Sequence, residues 1–298
     1  MQKNNFHLSA TILVFFTLAL CLPHSVAELR AAASGPSVDS TLLTDLPARQ
    51  YFGPRRHQIR QSNVPVTPSD ERMEGPSVPS RSLLERLLDE SGIHREQRHL
   101  AHAVLSLLDE SCLEKLETFS ILYDHPKHRG LAGKSVILVS GTVPDQEFIG
   151  LLLHEGLGHY RDITCLTGTA AAGESEFRDG DDPVYNDDPS AEFYRISWET
   201  DTKRKPAAAR RDFVTGYAYE ADSFEDLAES VTYYMTQEQA FRVRAAKNPI
   251  LAAKLAWLET YVPKPSAFAE GAEWNGKIAW DATKLSFAWS QNKYTNHE

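Results

Sequence analysis

The residues best suited to chemistry lie in one short run, His154-Glu155-Gly156-Leu157-Gly158-His159. Two imidazoles offer nitrogen ligands to a transition metal, and the carboxylate between them offers a base. A catalytic zinc takes three protein ligands and keeps a fourth position for water. Such a site acidifies the water toward neutrality and polarises a carbonyl beside it. A neighbouring carboxylate must then take the water's proton and pass it to the leaving group. A His-Glu-x-x-His run on a helix serves this purpose because residues i and i+4 share a face. Here the second histidine comes one residue later. In a regular α-helix i and i+5 diverge by about 140° at 3.6 residues per turn, which directs the two rings apart. A single-turn π-bulge would return them to one face, and Gly156 and Gly158 supply backbone that eases the distortion. Glycines in a buried helix otherwise cost about 1 kcal/mol each, so their presence points to a local need.

A third ligand must come from elsewhere. Glu225-Asp226-Leu227-Ala228-Glu229 puts two glutamates at i and i+4 on one helix face. The rest of that helix is apolar, with Phe224, Leu227, Ala228, Val231, Tyr234 and Met235 at helical spacing. Acids in such a helix need a partner. A metal for Glu225 and a ligand imidazole for Glu229 would provide one. The rival reading is a solvated acidic edge.

The run His154 to His159 resembles the His-Glu-x-x-x-His signature of dipeptidyl peptidase III. The stretch from Gly216-Tyr217-Ala218 through Glu225-Asp226-Leu227-Ala228-Glu229-Ser230 resembles the catalytic domain of anthrax lethal factor and related secreted peptidases. Both are gluzincins, and the resemblance spans roughly residues 115–260. It implies an α+β, zincin-like domain with a small sheet and two metal-bearing helices. It also implies one zinc ion on His154, His159 and Glu225, with Glu155 as base and Glu229 orienting a ligand histidine. A peptide or protein would be the substrate. A tyrosine upstream of the Glu helix would stabilise the oxyanion. Tyr217 matches by its Gly-Tyr-Ala context, one residue further from Glu225 than the lethal-factor pattern has it, and Tyr219 is the alternative. The bulk of dipeptidyl peptidase III is missing, so its substrate preference does not carry over. Two other classes fit the same residues: a zinc scaffold that binds without turnover, and an amidase acting on cell-wall cross-links.

The elements that must position these groups are legible in outline. Ser82 begins a helix with Leu83, Leu84, Leu87 and Leu88 on one stripe, and Gly92 ends it. A second helix carries Leu100, Ala103, Val104, Leu107 and Leu108. Residues 118–123 and 135–140 read as strands, with a loop holding Asp124, His125, His128 and Gly130 between them. A buried helix starts near Pro144-Asp145 and runs into the histidines. Residues 163–210 read as irregular, and their acidic turns do not match a calcium loop. Phe193, Tyr194, Ile196 and Trp198 form an apolar anchor within them. A helix capped by Ser223 carries the glutamates, and another covers residues 249–261. His99 and His102 read as surface histidines, and the basic run at Lys203, Arg204, Lys205, Arg210 and Arg211 as a solvated loop.

Composition sets the boundaries. The chain has 298 residues, 42% hydrophobic and 24% charged, the composition of a soluble globular protein and enough for one substantial domain or two small ones. A net charge of −10 argues against a nucleic-acid partner, which needs a basic face. Residues 1–27 read as a signal peptide, with Lys3, an apolar run to Leu22 and small residues Ser25 and Ala27 before the cut. The expected destination is secreted or periplasmic, with lipidation at Cys21 as the lesser alternative. The apolar run falls short of the roughly 20 residues of a membrane span, and no other follows. Residues 28–80 read as a disordered linker or pro-segment, 81–262 as the metallopeptidase domain, and 263–298 as an aromatic extension. Cys112 and Cys165 remain after cleavage, either bridged or as separate thiols.

Overall fold

A computed structural model describes residues 82–124, 128–263, 269–271 and 274–289. The expected signal peptide, the linker and His125 lie outside the described residues. The architecture is α+β, with helices packed around a small sheet. Among the described residues no helix is long and apolar enough to cross a membrane.

Helix α1 (Leu83–Glu90) starts where Ser82 accepts a hydrogen bond from the Glu85 amide, and its leucines Leu84, Leu87 and Leu88 are buried. Helix α2 (Arg95–Leu105) buries Leu100, Ala103 and Val104. A short helix α3 (Glu110–Leu113) leads into β1 (Thr118–Leu122). The expected loop after it contains a strand, β2 (Gly130–Gly133), which forms a hairpin with β3 (Val136–Ser140). β3 is central. It pairs parallel with β1, Phe119 opposite Ile137, and antiparallel with β2, Leu131 opposite Leu138. The order β1-β3-β2 leaves β2 at an edge of the sheet. Phe119, Ile121, Ile137 and Val139 face the core by the strand's period of two.

One helix then runs without a break beneath the sheet. It begins as α4 (Asp145–Leu152), widens into a π-helix (Leu153–Tyr160) and finishes as α5 (Arg161–Cys165). Every residue of the π-helix is buried. The disulfide between Cys112 and Cys165 ties the end of α5 to α3, with Cα atoms 5.5 Å apart. Closing a loop with a sequence separation of 53 restricts the unfolded chain by about 4 kcal/mol on the chain-entropy account.

Residues 163–210, expected to be irregular, hold a hairpin and a helix. A hairpin of β4 (Glu174–Asp179) and β5 (Asp182–Tyr185) carries the acidic turn. Helix α6 (Pro189–Ser197) is capped by Asp188 and buries Phe193 and Tyr194. The basic run is dispersed. Arg204 lies over the rings of Trp198 and Tyr219, at 5.9 and 4.0 Å from their centroids, rather than forming a common face with its neighbours.

Helix α7 (Gly216–Glu220) precedes α8 (Ser223–Thr236). The α8 cap is Asp222, one residue before the expected Ser223, and its carboxylate accepts the Phe224 and Glu225 amides. A further helix, α9 (Glu238–Ala245), separates α8 from α10 (Pro249–Tyr261). Strands β6 (Ala269–Gly271) and β7 (Phe287–Trp289) pair after α10.

The deepest charge pair joins α8 to α10. Lys254 donates to both carboxylate oxygens of Asp226 at 2.7 and 2.9 Å, with both side chains fully buried. Trp198 adds its indole N–H to Asp226 at 2.9 Å, and Phe213 faces the ammonium at 4.0 Å. Burial raises the Asp226 carboxyl and lowers the Lys254 amine, each against the pull of its partner. Lys254→Met leaves a buried carboxylate with no counter-charge, a change that costs about 3–5 kcal/mol. Urea unfolding should show that loss, and a second substitution, Asp226→Asn, should recover part of it.

Candidate metal centre

The widened helix resolves the spacing problem. A π-helix bonds i to i+5, so His154 and His159 lie one turn apart on one face. Their ring centroids are 4.8 Å apart and nearly perpendicular, at 77°. Sequence reasoning expected a single-turn bulge, and the π segment extends over eight residues. The two glycines have different duties. A Cβ on Gly158 would lie 2.8 Å from Cα and Cβ of Ala228, so its absence lets α8 press against the π-helix. A Cβ on Gly156 would meet only Leu105 and Ile137, at 3.8 and 3.9 Å, which is ordinary contact.

That close crossing delivers Glu225. Its Oε2 lies 3.1 Å from His154 Nε2 and 3.2 Å from His159 Nε2. The three ligand atoms lie within 4.8 Å of one another, the one such group of His, Cys, Asp and Glu among the described residues. Zinc bonds of about 2.0–2.1 Å in tetrahedral geometry put ligand atoms roughly 3.3 Å apart, close to the two Glu–His separations. His99 and His102 are exposed and join no such group.

Glu229, one turn on, faces the back of His154. Its Oε1 is 3.4 Å from His154 Nδ1, and neither atom has a hydrogen-bond partner elsewhere among the described residues. A proton on Nδ1 would be held toward Glu229, so that with a cation bound Nε2 would be the nitrogen presented to it. The other Glu229 oxygen accepts from Thr215 Oγ1 at 2.5 Å and from the Ala282 amide at 2.9 Å. Thr215 and the 279–283 segment were not anticipated. Thr215 Oγ1 also accepts the Ala218 amide at 3.1 Å, capping α7, the helix that carries Tyr217. One hydroxyl thus ties the carboxylate behind His154 to the tyrosine helix.

Glu155 is buried, and its carboxylate rests against Gly130 of β2, where any Cβ would collide with it. The two tyrosines diverge. Tyr217 stays near the cluster: burial, followed by the charges of Glu225, Asp222 and Glu229, pushes its phenol far above the ordinary tyrosine range. Tyr219 instead packs on Phe213 and beneath Arg204. It is not part of the cluster.

The electrostatics favour a cation. Three carboxylates, Glu155, Glu225 and Glu229, surround two buried imidazoles, with Glu225 alone partly open to solvent. Burial opposes charge on His154, yet the hydrogen bond to Glu225 and the nearby Glu229 carboxylate outweigh it and hold the imidazole well above its usual value. Burial would raise Glu225, but the charge of His159 and the bonds from both rings keep it well below the carboxylate range. A divalent cation at the same point would meet both demands. No family model, curated protein or solved structure matches this chain.

Gly158→Ala should force the two helices apart, cost about 1–3 kcal/mol as an overpacked contact, and weaken metal binding. Gly156→Ala should leave both unchanged within about 1 kcal/mol. Thermal unfolding with a metal titration of each variant checks this. Thr215→Val should weaken metal binding about 10–100-fold, the usual effect of removing a partner behind a ligand, and Thr215→Ser should retain it.

Proposed function

We propose that the chain is a gluzincin-type zinc peptidase that hydrolyses peptide bonds. The observation that carries this reading is the convergence of two imidazoles and the Glu225 carboxylate beside an independent carboxylate, Glu155, and a phenol, Tyr217. The donor set suits zinc. It would also suit iron(II), which favours the same two-His, one-carboxylate arrangement. A base at Glu155 and an acid hydrogen at Tyr217 are what hydrolysis needs in addition, and they support zinc.

Zinc held by His154, His159 and Glu225 would supply an acidified water and a polarised carbonyl. Glu155 takes the proton from the attacking water and hands it to the amine as the C–N bond breaks. Tyr217 donates its hydrogen bond to the carbonyl oxygen as charge develops there, and its raised pKa keeps the phenol protonated across the working range. Glu229 and Thr215 fix the His154 ring. Support for a peptide as substrate comes from β2. It is an edge strand beside Glu155, and an extended chain can add to such an edge through main-chain hydrogen bonds.

Glu155→Gln should keep one zinc per chain and lower peptide hydrolysis by about 10²–10⁴-fold. Glu225→Ala should lose zinc. Metal analysis beside hydrolysis of a broad peptide library, with and without a chelator, reads both. Full turnover in the Gln variant removes Glu155 as base, and iron in place of zinc removes the hydrolase reading. Full metal binding without any turnover favours a binding scaffold. Cleavage of peptidoglycan alone favours an amidase.

A further inference from the structure

Trp280 is the largest apolar side chain left in water among the described residues, at 56% exposed. Its backbone is held firmly. Its carbonyl accepts the Tyr217 amide at 2.7 Å, and the Ala279 carbonyl accepts the Gly216 amide at 2.7 Å. The next residue, Asp281, bonds Arg129 at 2.5 Å and Thr283 at 2.6 Å. At binding surfaces a Trp on an anchored backbone supplies rigid contact area at little entropic cost.

Its neighbours give it a role. The indole lies 6.3 Å, centroid to centroid, from the Tyr217 ring, and Tyr217 sits on α7, which packs against the Glu225 helix α8. The Arg210 guanidinium stands 5.9 Å from the indole centroid. Gly216 lies beneath both, and a Cβ there would collide with the indole and the guanidinium. Arg210 meets Glu220 only at 3.8 Å, with both side chains about half exposed, at 46% and 50%. A pair so open to water binds weakly, which leaves the guanidinium ready to take another carboxylate.

We propose that Trp280 and Arg210 form a substrate subsite beside Tyr217 that takes an aromatic side chain with a carboxylate next to it. This rests on the peptide reading of the metal centre. The indole would stack on the aromatic ring, and the guanidinium would bind the acid with its planar fork.

The test uses the full chain carrying Glu155→Gln, loaded with zinc, so that peptides bind without turnover. Calorimetric titration compares Ala-Ala-Phe-Glu-Ala with Ala-Ala-Ala-Glu-Ala and Ala-Ala-Phe-Gln-Ala. The first peptide should bind about tenfold more tightly than either other, a difference of roughly 1.4 kcal/mol. Trp280→Ala should erase the preference for Phe, and Arg210→Gln the preference for Glu, each with zinc still at one equivalent. Trp280→Phe should keep most of the first preference. Equal binding of the three peptides, preferences that survive the substitutions, or zinc loss in both Trp280 variants would each overturn the subsite. Hydrolysis is read separately on the unsubstituted chain. Failed turnover counts against the peptidase, and failed discrimination against the subsite.

Discussion

His159 follows His154 by five positions, and an α-helix cannot bring side chains at that spacing to one point. The π-helix over Leu153–Tyr160 is the means by which the chain does so. A widened helix gives up some of the hydrogen-bond geometry and packing that make the α form the default. It persists here because the surrounding structure leaves it no alternative. It is buried throughout, continuous with α4 before it and α5 after it, and pressed by α8 at the Gly158–Ala228 contact. That contact sets how near Glu225 comes to the imidazoles. A methyl group on Gly158 would move α8 by a fraction of an ångström or more, comparable to the tolerance of a metal bond. The backbone of one residue and the carboxylate of another are thereby coupled without touching.

Helix α8 carries three acids in its first two turns, and each answers to a different partner. Glu225 faces the imidazoles, Asp226 faces Lys254, and Glu229 faces His154, Thr215 and Ala282. Carboxylates buried without partners would neutralise or unfold the helix. Asp226 and Lys254 add little net stability as a pair, because desolvation offsets most of their attraction. Their geometric effect is larger. The pair fixes the rotation of α8 against α10, and that rotation decides which way Glu225 and Glu229 point. A slip of one residue would rotate the helix by about 100° and send Asp226 toward the histidines.

The parts legible in sequence are those with a strong period or a local cap. The leucine stripe of α1, the β-branched run of β3, the apolar α4 and the α10 helix over Pro249–Tyr261 all fold where their patterns indicate. The two histidines and two glutamates were legible because buried polar residues in apolar helices demand an explanation. What escaped has no such local signature. β2 reads Gly-Leu-Ala-Gly, with neither alternation nor branching, and forms only because β3 offers it an edge. α9 is polar on most faces and is stabilised by packing. The disulfide depended on a Cα distance that spacing alone does not fix. Lys254 was the overlooked signal. A lysine amid Leu251, Leu255 and Leu258 on one helix requires a buried acid, and Asp226 was the unassigned one.

The segment after α10 is hardest to infer from sequence and among the most consequential for the site. Its partners lie far away along the chain: Glu229 for Ala282, Arg129 for Asp281 and Gly150 beneath Thr283. Each of these contacts involves an element that carries or flanks the His154–His159–Glu225 cluster. Glu229 Oε2 is shared between a hydroxyl from before α7 and an amide from after α10, so the carboxylate behind His154 is set by both. Arg129 stands just before β2, whose first residue touches Glu155, and it binds Asp281 and Glu147 together. The same short stretch therefore braces groups on two sides of the cluster, the His154 imidazole through Glu229 and the Glu155 carboxylate through β2. Physically it belongs to the centre it encloses, although composition alone sets it apart as an aromatic tail.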